Sequence, residues 1–158
     1  MLTELCAYLR NYFLRDYLDP DAYIHHGTFT IENGQIQSLS FLSLGQYYRI
    51  VGSLFNDGVY QFKEPTRDTH GTMTDEVFTG AIWAMSVPPD VGNLASEISD
   101  WLTNNAASLN SPYQSESFGG YSYTKASGGG SSGNPSAAYS WQDQFAARLA
   151  PYKRLSVL

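Results

Sequence analysis

Cysteine is almost absent from this sequence, since Cys6 is the only one among 158 residues. A single thiol excludes an internal disulfide framework, and it also excludes a zinc site made of several cysteines. Cys6 falls on the apolar side of a predicted helix, and buried cysteine behaves as a small hydrophobic residue. We therefore expect Cys6 to belong to the core.

Sequence motifs for catalysis are also scarce. Residues 128–130 are three glycines without the Lys-Ser or Lys-Thr pair that completes a phosphate-binding loop. His25 and His26 are adjacent, so on an extended segment they point to opposite faces, which is poor spacing for one metal ion. We predict that the protein is not an enzyme and has no cofactor, with no catalytic, cofactor-binding or metal-binding residues. A metal site formed by His25 or His26 with His70 and a carboxylate is the alternative.

Positive charge is scarce and unevenly placed. Nine basic residues against fifteen acidic ones give a net charge of −6, whereas a protein that reads nucleic acid usually carries a basic face. We therefore expect no sequence-specific nucleic-acid partner. From residue 125 onward the balance is reversed, because the basic residues there, Lys125, Arg148, Lys153 and Arg154, outnumber the single acid Asp143. An acidic body with a basic tail could dock head-to-tail on identical neighbours, or the basic residues could form only a solvated helix face.

Long apolar runs are absent, since no stretch approaches the roughly 18 residues that a membrane-spanning helix needs. The first residues also lack the features of a signal peptide, so we expect no membrane partner and folding in a cytoplasm. Aromatic residues, in contrast, are abundant, with twelve Tyr, eight Phe and three Trp. Tyr and Trp suit half-buried contacts between subunits. A small core rich in aromatic side chains is the alternative interpretation.

Helical periodicity is present at two places in the first two thirds of the chain. Thr3 is expected to cap a first helix that runs to about Tyr17 and ends before Pro20. Pro88 and Pro89 are expected to open a second helix. Its residues on one face make a continuous apolar stripe, which comprises Val91, Leu94, Ala95, Ile98, Trp101 and Leu102.

Alternating segments between these helices predict a small antiparallel sheet. Asn33-Gly34 separates strands near 28–31 and 36–41, and Asp57-Gly58 lies in the connection of a second hairpin, 46–53 with 59–62. Residues 63–75 are polar and predict a loop, while the apolar run at 77–85 predicts a central buried strand. The order of elements predicts an α+β body over residues 1–107, with the sheet packed against the second helix.

The last third of the chain has a different character. Residues 108–138 are predicted to form an extended aromatic arm, followed by a flexible, mobile Gly/Ser-rich tether at 125–138. The C-terminal region, residues 139–158, is predicted to be an amphipathic helix, with the helix itself at about 137–150. The arm could add a strand to the sheet edge of a neighbouring subunit. The residues predicted to contact other subunits are Tyr113, Phe118, Tyr121, Tyr123, Trp141, Phe145, Arg148, Lys153 and Arg154. In the alternative, the last helix folds back on its own core.

Three stretches carry a resemblance to a known family. They are residues 45–53 with 55–61, residues 78–85 with Pro88 and Pro89, and residues 111–123 followed by Trp141 and the helix that bears Arg148. In these stretches the chain resembles the head–tail connector (adaptor, neck) proteins of long-tailed bacteriophages and prophages of Gram-positive bacteria. The resemblance implies a structural virion protein that oligomerises as a ring below the portal. Its implied partners are copies of itself, the portal and the tail-side neck proteins, and assembly would take place in the bacterial host cytoplasm.

Two further interpretations remain open. The simplest connectors are nearly all helical, whereas this chain inserts strands between its first two helices, so another head- or tail-completion protein is possible. A small-ligand or peptide-binding module is the other alternative, using the predicted aromatic sheet surface of Tyr47, Tyr48, Tyr60 and Phe62. A deep apolar pocket with converging polar groups would favour that alternative.

Overall fold

A computed structural model describes residues 1–37, 39–106 and 140–155, and the backbone of two strands at 115–118 and 121–124. Tyr113 and the tract 125–138, which the sequence predicts to be a mobile tether, lie outside the described residues. The elements are helices together with a small antiparallel sheet, so the fold is α+β, as predicted.

The first helix, α1, spans Leu2–Leu9 and is shorter than predicted. It ends because Arg10 adopts a left-handed conformation, with φ at 53°, while the N–H of Asn11 donates to the carbonyl of Cys6. The Asn11 side chain then accepts from the Phe13 N–H and the Tyr17 hydroxyl, which fixes a non-helical path. The prediction of a helix to about Tyr17 was therefore wrong. Thr3 does not cap this helix either, because Met1 is the N-cap residue.

A five-stranded antiparallel sheet follows, with strand order β2-β1-β5-β3-β4. Its strands are β1 (Ile24–Glu32), β2 (Gln35–Ile36), β3 (Tyr47–Val51), β4 (Gly58–Gln61) and β5 (Glu76–Ala84). The Asn33-Gly34 turn is confirmed, with positive φ at both residues. The position of β5 at the centre of the sheet is also confirmed. The strand predicted near 36–41 is shorter than expected, because β2 ends at Ile36.

The second helix, α2, spans Pro89–Asn104 as predicted and buries Val91, Leu94, Ala95 and Ile98. Two hydrophobic cores share the fold. The first core joins α1, α2 and Met85 to the C-terminal residues Phe145 and Leu149. The second core lies on the sheet and contains Ile31, Ile36, Leu42, Tyr48, Ile50, Phe62, Phe78, Ile82 and Ala84.

The predicted C-terminal helix is interrupted. It consists of α3 (Trp141–Gln144), α4 (Ala146–Leu149) and a 3₁₀ turn at Ala150–Tyr152. The break falls at Phe145, which has φ −105° and ψ 7° and buries its side chain in the first core. Between α2 and α3 the chain forms a two-stranded ribbon, β6 (Ser115–Phe118) with β7 (Tyr121–Thr124).

Candidate functional site

The C-terminal segment, residues 140–155, packs against the body of the same chain. Leu149 is 1% exposed and Phe145 is 8% exposed, both in the first core. The Trp141 ring meets Tyr8 edge-on, with the ring centroids 5.2 Å apart, and Tyr152 meets Phe13 at 6.3 Å. Among the described residues, the arrangement is therefore the alternative in which the last helix folds back on its own core.

The three basic residues predicted for subunit contacts also have partners within the chain. Arg148 donates two hydrogen bonds to the carboxylate of Glu97 on α2, at 2.5 and 3.0 Å. These bonds lower the pKa of Glu97 and raise the pKa of Arg148. Lys153 Nζ lies 4.5 Å from the centroid of the Tyr8 ring, and the Arg154 guanidinium lies 3.6 Å from that of Tyr17. Their proposed contacts with other subunits stay predictions.

The ribbon of β6 and β7 carries the remaining described contact candidates, Phe118, Tyr121 and Tyr123. Ser115 pairs with Thr124 and Phe118 pairs with Tyr121 in an antiparallel register. In the described part of the chain, neither strand pairs with the five-stranded sheet. The ribbon is therefore a separate two-stranded sheet, located between the body and the C-terminal segment in the sequence.

The two edges of the five-stranded sheet differ in which elements lie beside them. At the β4 edge, the N–H of Val59 donates to the Thr3 hydroxyl at the start of α1, at 3.0 Å, so α1 covers this edge. At the other edge, β2 pairs only with Ile31 and Glu32 of β1, and one further bond joins Gln37 N–H to the Thr30 carbonyl. Most of the outer edge of β1 thus has no strand beside it among the described residues.

An open cleft of about 580 Å³ lies on the face of the sheet that carries the second core. Its apolar lining includes Ile36, Tyr60 and Met73, and its polar lining includes Lys63, Glu64, Thr66, Thr69 and His70. The Tyr60 hydroxyl already donates to the Asn56 carbonyl at 2.8 Å. The cleft therefore offers an apolar floor with charged and hydroxyl groups around it.

One wall of this cleft is the loop between β4 and β5, which is tied to the turn between β1 and β2. The Asp75 carboxylate accepts from the N–H groups of Asn33 and Gly34, at 3.1 and 2.6 Å. In return, the N–H groups of Gly71 and Met73 donate to the carbonyls of Asn33 and Gly34. These four bonds hold the loop in one position, so the wall is preformed.

The three histidines do not meet. His25 stacks on Phe41 with the ring centroids 3.8 Å apart, and burial there lowers the pKa of His25. His26 is exposed on the opposite face of β1, and His70 Nδ1 donates to the Gly71 carbonyl in the loop beside the cleft. Within the described residues, no group of three or more His, Cys, Asp or Glu side chains could hold a metal ion.

Two features of the structure were not predicted from the sequence. The Arg49 guanidinium lies between two aromatic rings, 3.8 Å from the centroid of Tyr12 and 4.6 Å from that of Trp83. The tie between Asp75 and the Asn33-Gly34 turn is the other. Both join residues far apart in sequence. Only the Asn-Gly pair, which marks a tight turn with free N–H groups, gave a local signal for the second feature.

Comparison of this chain with protein-family models, with curated proteins and with solved structures gives no match. A search of the described residues for a helix long and apolar enough to cross a membrane finds none.

Proposed function

We propose that this protein is a structural subunit of the head–tail junction of a long-tailed phage or prophage, where copies of it assemble into a ring. The observation that carries the proposal is the β6–β7 ribbon, whose strands pair with each other and with no strand of the five-stranded sheet in the described residues. An isolated two-stranded hairpin is at best marginally stable in water and needs a third strand or a packing surface. A neighbouring subunit would supply that surface.

Residue patterns support the same proposal. The stretches that resemble connector proteins include β3 with β4, the end of β5 with the start of α2, and the ribbon itself. They therefore fall on both the body and the candidate contact element. The described residues hold no metal-ligand cluster that would favour an enzyme built on the histidines.

The proposal is tested first by the oligomeric state of the purified chain. Sedimentation velocity over a wide concentration series should show reversible association, and negative-stain electron microscopy of the largest species should show closed rings. A monomer at every concentration would contradict the proposal.

Position in the virion is a separate question with its own measurement. The proposal predicts that a portal gene lies near the gene for this chain and that the two proteins co-purify when they are co-expressed. Binding to a tail-side protein instead, with none to the portal, would identify another head- or tail-completion protein.

The open cleft supports a second candidate function, the binding of a small ligand or peptide. Its volume of about 580 Å³ falls within the roughly 300–1,000 Å³ typical of ligand sites. Methyl NMR offers an internal control, because Met73 lines the cleft while Met85 is buried in the first core. A ligand in the cleft should shift the Met73 methyl signal and leave Met85 unchanged. If compound and peptide libraries leave the Met73 signal in place, this candidate fails.

A further inference from the structure

The outer edge of β1 has a defined set of unpaired backbone groups. In an antiparallel pair, alternate residues direct their N–H and C=O groups toward the same neighbouring strand. The Ala84 N–H donates to the Tyr23 carbonyl, so His25, Gly27 and Phe29 also bond to β5. The intervening residues Ile24, His26 and Thr28 therefore direct their N–H and C=O groups away from β5, toward the outer edge.

In the described part of the chain, the loop after β2 contacts β1 where Phe41 stacks on His25, but no strand pairs with this edge between Ile24 and Thr28. Natural edge strands usually avoid pairing with other chains by means of Lys, Pro, bulges or a covering element. Residues 24–30 contain no charged residue other than histidine and no Pro, and they pair with β5 in an uninterrupted register. The opposite edge, in contrast, is covered by α1 through the bond from Val59 to Thr3. One edge of the sheet is therefore closed and the other is suited to pairing.

The same chain has a pair of strands, β6 and β7, that is not part of the five-stranded sheet. The β6–β7 ribbon has two outer edges of its own, and the sheet order places neither of them beside β1 in the described chain. Each ribbon strand is four residues long, which is enough to pair along most of the open part of β1 from Ile24 to Thr28. The open edge of β1 in one copy and the ribbon of another copy could therefore pair as strands of one sheet.

We propose that the β6–β7 ribbon of one copy adds to the outer edge of β1 of the next copy, at Ile24, His26 and Thr28. The five-stranded sheet then continues into a seven-stranded sheet across the subunit boundary. This inference rests on the proposed function, because it specifies the contact through which the copies assemble. The contact joins two different surfaces, so it is heterologous and closes into a ring if the rotation between copies fits.

Hydrogen exchange resolved by residue tests the proposal directly. In the dilute monomer, the amides of Ile24, His26 and Thr28 should exchange fast, while those of Gly27 and Phe29 are protected by β5. On assembly, the three outer amides should become protected together with amides of the ribbon. If assembled protein exchanges its outer β1 amides as fast as the monomer does, the proposed contact is wrong while assembly itself stands. A chain that stays monomeric at every concentration overturns both.

A matched pair of substitutions at Thr28 gives an independent test. Thr28 shares a hydroxyl contact with Thr79 at 2.9 Å, and both Thr28→Pro and Thr28→Val remove it. Only Thr28→Pro removes the outward N–H, and Pro is tolerated on edge strands. We expect self-association to weaken by about tenfold or more for Thr28→Pro, and to stay near the wild-type value for Thr28→Val. Equal association of the two variants would overturn the proposal, and if Thr28→Pro does not fold, hydrogen exchange still decides.

Discussion

Substitution of Leu149 tests whether the C-terminal segment is part of the body. Leu149 is 1% exposed and lies in the first core with residues of α1 and α2. Leu→Ala at a buried site removes the transfer free energy of the lost atoms and leaves a cavity, which together cost about 2–5 kcal/mol. We expect Leu149→Ala to lower the free energy of unfolding by about 3 kcal/mol. For a domain of this size, that change lowers the melting temperature by about 6–12 °C.

Calorimetry and circular dichroism of the two proteins measure this effect, and Leu155→Ala is the matched control. Leu155 is in the same segment but is 99% exposed, and substitutions at such positions usually change stability by less than about 0.5 kcal/mol. The Leu149→Ala protein should unfold in one transition at the lower temperature, because its core is shared with α1 and α2. Near-ultraviolet circular dichroism should report loss of the Trp141–Tyr8 contact in the same transition.

Two outcomes would refute this reasoning. If Leu149→Ala leaves the main transition unchanged, the C-terminal segment does not contribute to the stability of the body. If a separate low-temperature transition appears and carries only the Trp141 signal, the segment docks as an independent unit. Either result would restore the prediction of a helix on a tether and would release Phe145 and Leu149 for contacts with other subunits.

Three further outcomes are expected from the described contacts. Burial raises the pKa of the Cys6 thiol to about 12, so native protein should resist alkylation at pH 8 and react only when unfolded. The same shift stabilises the fold below the ordinary thiol pKa of 9.0, and that contribution should disappear as the pH rises from about 9 toward 12. Asn56 is 3% exposed and bonds to both the N–H and the carbonyl of Thr74, so Asn56→Ala should cost about 2 kcal/mol or more in urea unfolding. Arg148 lowers the pKa of Glu97, so this pair stabilises the fold above the ordinary carboxyl pKa and less as the pH falls below it. Arg148→Ala should therefore flatten the acid side of the stability profile, and an unchanged profile would show that the pair contributes nothing.

The elements that sequence predicted well are those with local causes. The Asn33-Gly34 turn needs two residues that tolerate positive φ, and Asn-Gly satisfies that need wherever it occurs. The second helix begins at Pro89 and buries a stripe of residues at helical spacing, so both its start and its inward face were readable. In both cases the signal is contained in a few neighbouring residues.

The errors at the helix ends have a shared origin. Leu9 and Phe13 keep helical spacing, yet Arg10 turns left-handed and the Asn11 side chain bonds to the backbone of Phe13. In the C-terminal segment, the break at Phe145 lets its ring pack edge-on against Trp101 of α2. Apolar periodicity shows which residues can face a core, but it does not show where a side chain forms a hydrogen bond or a packing contact that interrupts the helix. Tertiary contacts therefore determine the end of α1 and the break at Phe145.

The candidate contact surface was only partly predictable. The sequence predicted an extended segment at 111–124 with no partner of its own, whereas the strands at 115–118 and 121–124 pair with each other as a ribbon outside the main sheet. The sequence could not identify an acceptor, because strand order decides which edge is open. Trp141 and Phe145 were predicted to contact other subunits, and within the chain Phe145 belongs to the first core while Trp141 packs against it. Hydrophobic spacing is the same for a surface buried within one chain and for one buried between two, so it could not distinguish these positions.

A helix lies beside the β4 edge of the sheet, whereas most of the β1 edge has no strand beside it in the described residues. This difference affects the direction in which copies can assemble. If the β4 edge were open as well, the ribbon of one copy would have two possible acceptor edges on the next, and copies could add in two different ways. Here Thr3 and α1 close the β4 edge, so each copy offers one open β1 edge and one ribbon. Under the proposed contact, every addition then has the same polarity, and each new copy presents the same free edge as the last. Repetition of a single heterologous contact gives a closed ring where the rotation between copies fits and an open filament where it does not, so the rotation at the β1 edge determines which assembly forms.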